Sequence, residues 1–126
     1  MKSIIYTEKA PAPIGPYSQA VLAGNMLYIS GQIPIDPKTD QLVVGTIEEE
    51  AKQVMKNIEA LLDESGFTFA NIVKTSIFLS DMNHFALVNG VYGSYFDSDF
   101  PARETVAVLG LPKNVNVEIS VIAYKP

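Results

Sequence analysis

Arg103 is the only arginine of the chain, and it follows Phe100-Pro101-Ala102 at the start of a predicted strand. A planar guanidinium carries paired N–H donors that match the two oxygens of a carboxylate. The residue is therefore a candidate for binding a carboxylate substrate. The alternative is a surface or interface ion pair, with Asp97, Asp99 or Glu104 as candidate partners, and because structural ion pairs are common, the residues alone favour it.

Glu118 is the second candidate, since it lies in the middle of a predicted apolar strand, where burying an unpaired carboxylate costs free energy. The alternation of residue types favours a solvated position on the polar face of that strand. If the strands at 103–109 and 115–124 form a hairpin, however, Arg103 and Glu118 can reach a common cleft. A guanidinium that binds an anion beside a carboxylate that activates water would make a small hydrolytic site.

Four further residues carry weaker signals. Gly31, in Ser30-Gly31-Gln32, ends a predicted strand and permits close backbone approach to a ligand, although such endings are usually plain turns. Tyr17 follows a proline-rich loop, where a packed aromatic is more common than a lid over a substrate. Asn89 lies off the apolar face of a predicted helix, a position that is ordinarily solvated. His84 has no second histidine with which to bind a metal.

Composition restricts the chemistry. Cysteine is absent and His84 is the only histidine, which excludes thiolate zinc sites, Fe–S clusters, disulfides and thiol nucleophiles, and leaves one residue for a Ser-His-Asp triad. The net charge of -5 disfavours binding to nucleic acid.

Because the chain has 126 residues, of which 48% are hydrophobic, we expect one folded domain over 1–126. No leader or membrane-spanning segment is evident, and we expect a cytoplasmic protein.

Two helices must position these residues. Thr46, with a carboxylate three positions later, predicts the start of a helix over about 46–65, and Gly66 supplies a left-handed end. Asp81 is a suitable cap for a second helix that we expect to run to about Phe96.

The remaining elements are predicted strands. A hairpin of 18–23 with 26–30 turns at Gly24-Asn25, and further strands are expected at 71–79, 103–109 and 115–124. This order predicts an α+β fold with a sheet of about six strands and two helices packed on one face. The strands supply more apolar surface than one face can use, which predicts an oligomer that buries the second face.

Five separated motifs are spread over nearly the whole chain: Ile14-Gly15-Pro16-Tyr17-Ser18-Gln19, Ser30-Gly31-Gln32-Ile33-Pro34, Phe100-Pro101-Ala102-Arg103, Leu111-Pro112-Lys113 and Val117-Glu118-Ile119. In these residues and in this order the chain resembles the Rid family (RidA/YjgF) of imine deaminases.

The resemblance implies a chorismate-mutase-like α+β subunit in a homotrimer, with clefts between neighbouring subunits. It also implies hydrolysis of reactive enamines and imines, such as 2-aminoacrylate, to 2-oxo acids and ammonia, without a cofactor. Arg103 would bind the substrate carboxylate and Glu118 would activate water. The cleft would be lined by Tyr17, Ser30, Gly31 and Asn89, with backbone groups near Gly31 and Thr105 contacting the imine or the water.

The chain departs from the family pattern at Glu104-Thr105, where many members have a small residue followed by cysteine. No thiol can therefore act at this position, whereas the backbone carbonyl of Thr105 can still have a role. Two other functions stay open: a regulatory or RNA-related module, described in the family as a translation inhibitor or ribonuclease, and an inactive trimeric scaffold. The acidic composition argues against RNA.

Overall fold

A computed structural model describes residues 1–126, which form a mixed sheet with two helices on one of its faces. The strands are β1 (Lys2–Ile5), β2 (Ala20–Ala23), β3 (Met26–Gln32), β4 (Ile35–Asp36), β5 (Gln41–Leu42), β6 (Ile72–Leu79), β7 (Ala102–Ala107) and β8 (Val117–Tyr124), and the helices are α1 (Ile47–Ser65) and α2 (Phe85–Gly93). The predicted α+β class, six-stranded sheet and one-sided helix layer are confirmed. None of the helices is long and apolar enough to span a membrane.

The strand order of the main sheet is β1-β2-β3-β8-β6-β7, and β4 and β5 form a separate two-stranded ribbon. All neighbours in the main sheet are antiparallel except β6 and β7, which are parallel. The predicted hairpin between 103–109 and 115–124 is therefore wrong, because β7 pairs with β6 and β8 lies between β3 and β6.

Burial explains this arrangement. The residues of β8 that face the helices, Val117, Ile119, Val121 and Ala123, are at most 3% exposed, which is typical of a central strand. By contrast, β7 has six residues, none of them fully buried, and is suited to an edge. The segment between them, 108–116, is longer than a tight turn and contains a 3₁₀ turn at Pro112–Asn114, in which Lys113 and Asn114 adopt left-handed backbone conformations.

Helix α1 agrees with its local signals. Thr46 is the N-cap and makes a reciprocal capping box with Glu49, and Gly66 ends the helix with φ 76°. Its buried stripe packs against α2 and the central strands of the sheet. This part of the prediction is confirmed.

Helix α2 is shorter than predicted. Asp81 caps a 3₁₀ turn at Met82–His84, and α2 ends at Gly93 rather than near Phe96. Beyond Gly93 the chain tightens into successive i→i−3 hydrogen bonds. Gly90 and Gly93 lower the helix propensity of this segment, which explains the early end.

Gln19 fixes the segment between β1 and β2, which has no regular structure. Its side chain is 2% exposed, Nε2 donates to the carbonyls of Thr7, Ala10 and Pro11, and Oε1 accepts from Thr7 N–H. The following hairpin turns at Gly24, which has φ 60°, as predicted.

The sheet face opposite the helices is uncovered. Tyr28, Val106 and Tyr124 are 43–45% exposed on this face, and Phe78 and Ile122 lie between them in the strand register. We call this surface the open face. It is the surplus apolar surface that the strand pattern predicted.

Candidate functional site

Glu118 lies in a cleft of about 330 Å³ on the open face. The residues that line it are Ile14, Tyr17, Ser30, Gly31, Ile33, Pro112 and Glu118. The structure thus brings together four of the residues singled out in the sequence. The apolar members Ile14, Ile33 and Pro112 were missed as lining residues, although all three stand within the family motifs.

The Glu118 carboxylate is half-buried and has no hydrogen-bond or ion-pair partner in the chain. Burial raises its pKa above the ordinary value for glutamate. Gly31 lies directly beside it, and a Cβ at this position would come within 2.7 Å of Glu118 Cδ. The absence of a side chain at Gly31 therefore makes room for the carboxyl group.

The other two predicted residues of this cleft are held by local hydrogen bonds. Ser30 Oγ donates to the carbonyl of Ser18 at 2.6 Å, which joins the end of β3 to the loop before β2. The hydroxyl oxygen of Tyr17 accepts from Ile14 N–H at 3.2 Å, and its side chain is 47% exposed. Tyr17 therefore stands at the rim of the Glu118 cleft.

Arg103 lies in a second cleft, of about 650 Å³, lined by Asn89, Gly90, Tyr92, Gly93, Phe100, Pro101 and Arg103. Its Nη1 donates to Asn89 Oδ1 at 2.7 Å. Within the subunit Arg103 makes no ion pair with Asp97, Asp99 or Glu104, because the only ion pair joins Lys74 and Glu104 at 3.0 Å. The guanidinium is half-buried and has no carboxylate partner within the subunit.

The two clefts belong to opposite faces of the sheet. Arg103 is directly opposite Thr75 in the β6–β7 register, on the face that carries the helices. Glu118 is directly opposite Phe78 in the β6–β8 register, and side chains of a strand alternate between faces. The expectation that both side chains reach one cleft of the subunit is therefore wrong, and it fails with the hairpin on which it depended.

The expectation that Asn89 is solvated is wrong, because this residue is half-buried and shares a helix face with Phe85 and Tyr92. These three residues have the i, i+4, i+7 spacing of one helix face, a signal that would have placed Asn89 with the aromatic residues. The rings of Phe85 and Tyr92 lie near the Arg103 guanidinium.

Thr105 is on the same strand face as Arg103 but lines neither cleft. Its hydroxyl is buried and has no hydrogen-bond partner. Glu104 lies on the opposite face, bonded to Ser76 and Lys74, so it does not neutralise Arg103. His84 also lines neither cleft, and no group of three metal-ligating side chains converges anywhere in the chain.

The fold and the two charged clefts define a small α+β protein of the chorismate-mutase-like class. The family model described as endoribonuclease L-PSP matches residues 7–125, and the chain belongs to this family, the Rid (YjgF) family.

The relatives are similar over the whole chain. A RutC family protein of Pyrococcus horikoshii is 53% identical, with 99% of each chain covered. The human 2-iminobutanoate/2-iminopropanoate deaminase is 50% identical, with 99% of this chain and 91% of the human protein covered. Among solved structures, the Rid family protein YyfA of Yersinia pestis superposes with a TM-score of 0.96 at 51% identity, covering 99% of this chain and all of the other.

Proposed function

We propose that this protein hydrolyses 2-imino acids, such as 2-iminobutanoate and 2-iminopropanoate and their enamine forms, to 2-oxo acids and ammonia. The observation that carries the proposal is the pair of unsatisfied opposite charges, Arg103 and Glu118, in separate open clefts. The names of the relatives at about 50% identity support the same reaction.

Each charge suits one part of this substrate. The guanidinium of Arg103 has donors free to bind the carboxylate of a 2-imino acid. Glu118 suits a general base, because burial raises its pKa above the ordinary value for glutamate and so makes the carboxylate a stronger base. Carboxylate binding fixes the C=N carbon at a set distance from the base.

The reaction needs one water and no redox change. Glu118 accepts a proton from water as the water oxygen attacks C2 of the protonated imine, which gives a carbinolamine. The carboxyl group passes this proton to the amino nitrogen. The C–N bond then breaks as the hydroxyl gives its proton to the Glu118 carboxylate, and the 2-oxo acid and ammonia leave. Glu118 passes this proton to the ammonia or to bulk water, which restores the carboxylate.

The site requires more than one subunit in this proposal. Because Arg103 and Glu118 lie on opposite faces of the sheet, a single chain cannot direct both at one small substrate. We propose a homotrimer in which the open face is covered and Arg103 of one subunit lies near Glu118 of the next. The exposed apolar residues of the open face support this assembly.

A mixed-subunit experiment tests the proposal. Arg103→Ala and Glu118→Gln chains, each inactive alone, are unfolded together, refolded and assayed for 2-oxo acid release from imine generated by a serine or threonine dehydratase. Random mixing in a ring of three places an intact Arg103 beside an intact Glu118 in about a quarter of the sites. Recovery near that fraction supports the shared site, whereas no recovery contradicts it, and an inactive native protein contradicts the reaction itself.

RNA is the weaker candidate ligand, although the family model carries a ribonuclease description. The chain has 9 basic and 14 acidic residues, so it offers little to neutralise a phosphate backbone. Neither cleft contains a lysine, and Arg103 is the only cation in them.

A further inference from the structure

The Arg103 guanidinium is surrounded by two aromatic rings of α2. Its Cζ lies 5.2 Å from the centre of the Tyr92 ring and 5.7 Å from the centre of the Phe85 ring. Aromatic faces attract cations at these distances, and the attraction strengthens where water is partly excluded. Nη1 also donates a hydrogen bond to Asn89, so the guanidinium makes three contacts with α2.

Tyr92 is itself fixed against the strand that adjoins Arg103. Its hydroxyl donates to Thr75 Oγ1 at 2.9 Å, and Thr75 is fully buried. Thr75 is the residue directly opposite Arg103 in the β6–β7 register. The contacts therefore form a closed circuit: strand β7 carries Arg103, Arg103 lies near the Tyr92 ring, and Tyr92 is bonded to the neighbouring strand.

This circuit restricts the guanidinium while leaving part of it free. Nη1 donates to Asn89, and no other guanidinium N–H donates to a protein atom. The Nε and Nη2 donors, which together match a carboxylate, therefore have no partner in the chain. An arginine held in this way loses less rotamer entropy when a ligand binds than a freely rotating one.

We propose that Phe85 and Tyr92 are positioning residues for the proposed reaction, holding Arg103 so that its free donors meet the substrate carboxylate. Their action on the carboxylate rests on the proposed function, whereas their restraint of the guanidinium does not. Thr75 supports the restraint through the Tyr92 hydroxyl. Neither ring touches the reacting atoms in this proposal.

The experiment uses the fact that the chain has a single arginine. In protein labelled with ¹⁵N-arginine, the Nε–H signal belongs to Arg103 alone, and its exchange with water and the rotation about Nε–Cζ are measured by NMR. The variants are Phe85→Leu and Tyr92→Leu, which remove a ring, and Phe85→Tyr, which keeps one. Phe69→Leu is the matched control, because Phe69 packs against Tyr95 and Phe96 in the same aromatic cluster and does not contact Arg103.

We expect Phe85→Leu and Tyr92→Leu to speed guanidinium rotation several-fold and to raise KM for the imine about tenfold with kcat within about twofold, since cation–π attraction is of this size. Phe85→Tyr and Phe69→Leu should resemble the native protein. A weaker affinity for 2-oxobutanoate, followed on the same NMR signal, should accompany the higher KM.

Three results would overturn the proposal: native rotation in both leucine variants, equal loosening in Phe69→Leu, or faster rotation without a change in KM or in 2-oxobutanoate affinity. If Tyr92→Leu does not fold, Phe85→Leu decides, because its side chain is only half-buried. If the native protein hydrolyses no imine, the proposed function fails, while the rotation measurement still decides whether the rings restrain Arg103.

Discussion

At the scale of single residues, Arg103 and Glu118 are half-buried charges that one chain leaves without an opposite charge. Desolvating a charge costs free energy, and that cost is offset only when a ligand or a neighbouring copy supplies a partner. The chain has 14 acidic residues, yet none pairs with its only arginine. The arrangement is typical of a binding site rather than of a structural ion pair.

Arg103→Lys is expected to be nearly as damaging as Arg103→Ala, lowering kcat/KM for imine hydrolysis roughly 10²-fold or more. A lysine ammonium is a point charge, and it cannot both bond to Asn89 and present a planar pair of donors to a carboxylate. The measurement is the rate of 2-oxo acid release from dehydratase-generated imine, with circular dichroism as the folding control. Full activity in Arg103→Lys would contradict the two-pronged role.

Glu118→Gln and Thr105→Val are expected to differ sharply. Glutamine cannot accept a proton from water, so the rate of imine hydrolysis should fall at least about 10²-fold, as for the loss of a general base. Thr105→Val keeps the shape of a side chain whose buried hydroxyl has no partner, so activity should stay near native and stability should be unchanged or slightly higher. Near-native rates in both variants would remove Glu118 from the mechanism.

The raised pKa of Glu118 predicts a pH dependence of activity and of stability. Because the base acts when ionised, kcat/KM should fall as pH drops through a pKa above the usual range for glutamate. The folded state binds this proton more tightly than the unfolded state, so the Glu118 contribution favours the fold at low pH and is lost as pH rises through the folded pKa. In Glu118→Gln, urea unfolding at several pH values should lack this contribution.

At the scale of elements, the end of β3 lies against β8 without an intervening side chain at Gly31. Gly31→Ala is expected to displace the Glu118 carboxyl and lower the rate of imine hydrolysis at least about tenfold, because small errors in position are costly in catalysis. Gly110→Ala is the matched control, since a Cβ at Gly110 meets nothing within 4 Å. Equal activity of the two variants would show that Gly31 does not set the position of Glu118.

The elements that were predicted correctly are those whose signals are local. Thr46 and Gly66 mark the two ends of α1 within the chain itself, and Gly24 marks the hairpin turn. Alternation identified β8, and the imbalance of apolar surface identified the open face. The helix ends, the turn and the strand depend on residues close together in sequence, and the open face required only the balance of apolar residues among the strands.

The errors concern partners that are distant in sequence. The sequence of β7 does not indicate that this strand pairs with β6 in parallel. That pairing depends on which strand of the sheet can be buried on both sides. The separation of Arg103 from Glu118 by the sheet follows from this pairing and could not be predicted without it. Gly90 and Gly93 are a local signal for the early end of α2. The prediction of a longer helix gave more weight to the spacing of the apolar residues.

At the scale of the whole molecule, two features favour assembly with further copies of the chain. The open face exposes apolar side chains, and each cleft contains only one of the two charged residues of the proposed site. We expect light scattering to give three times the 13.7 kDa mass of the chain at micromolar concentration. Phe78 and Val106 are register partners on the open face, and Val106→Lys should weaken the assembly and the activity together. A stable native monomer that hydrolyses imines would contradict both the assembly and the shared site.

Gln19 determines how the long connection between β1 and β2 is held in place. The connection has 14 residues, 6–19, and the Gln19 amide holds it at Thr7, Ala10 and Pro11. Ser30 holds Ser18, and between these attachments the segment 12–17 is held only by the hydrogen bonds of Tyr17 with Ile14 and Gly15. The amide thus acts as a noncovalent crosslink: it divides one long connection into shorter loops, which cost less entropy to close, and the last of them places Tyr17 at the rim of the Glu118 cleft.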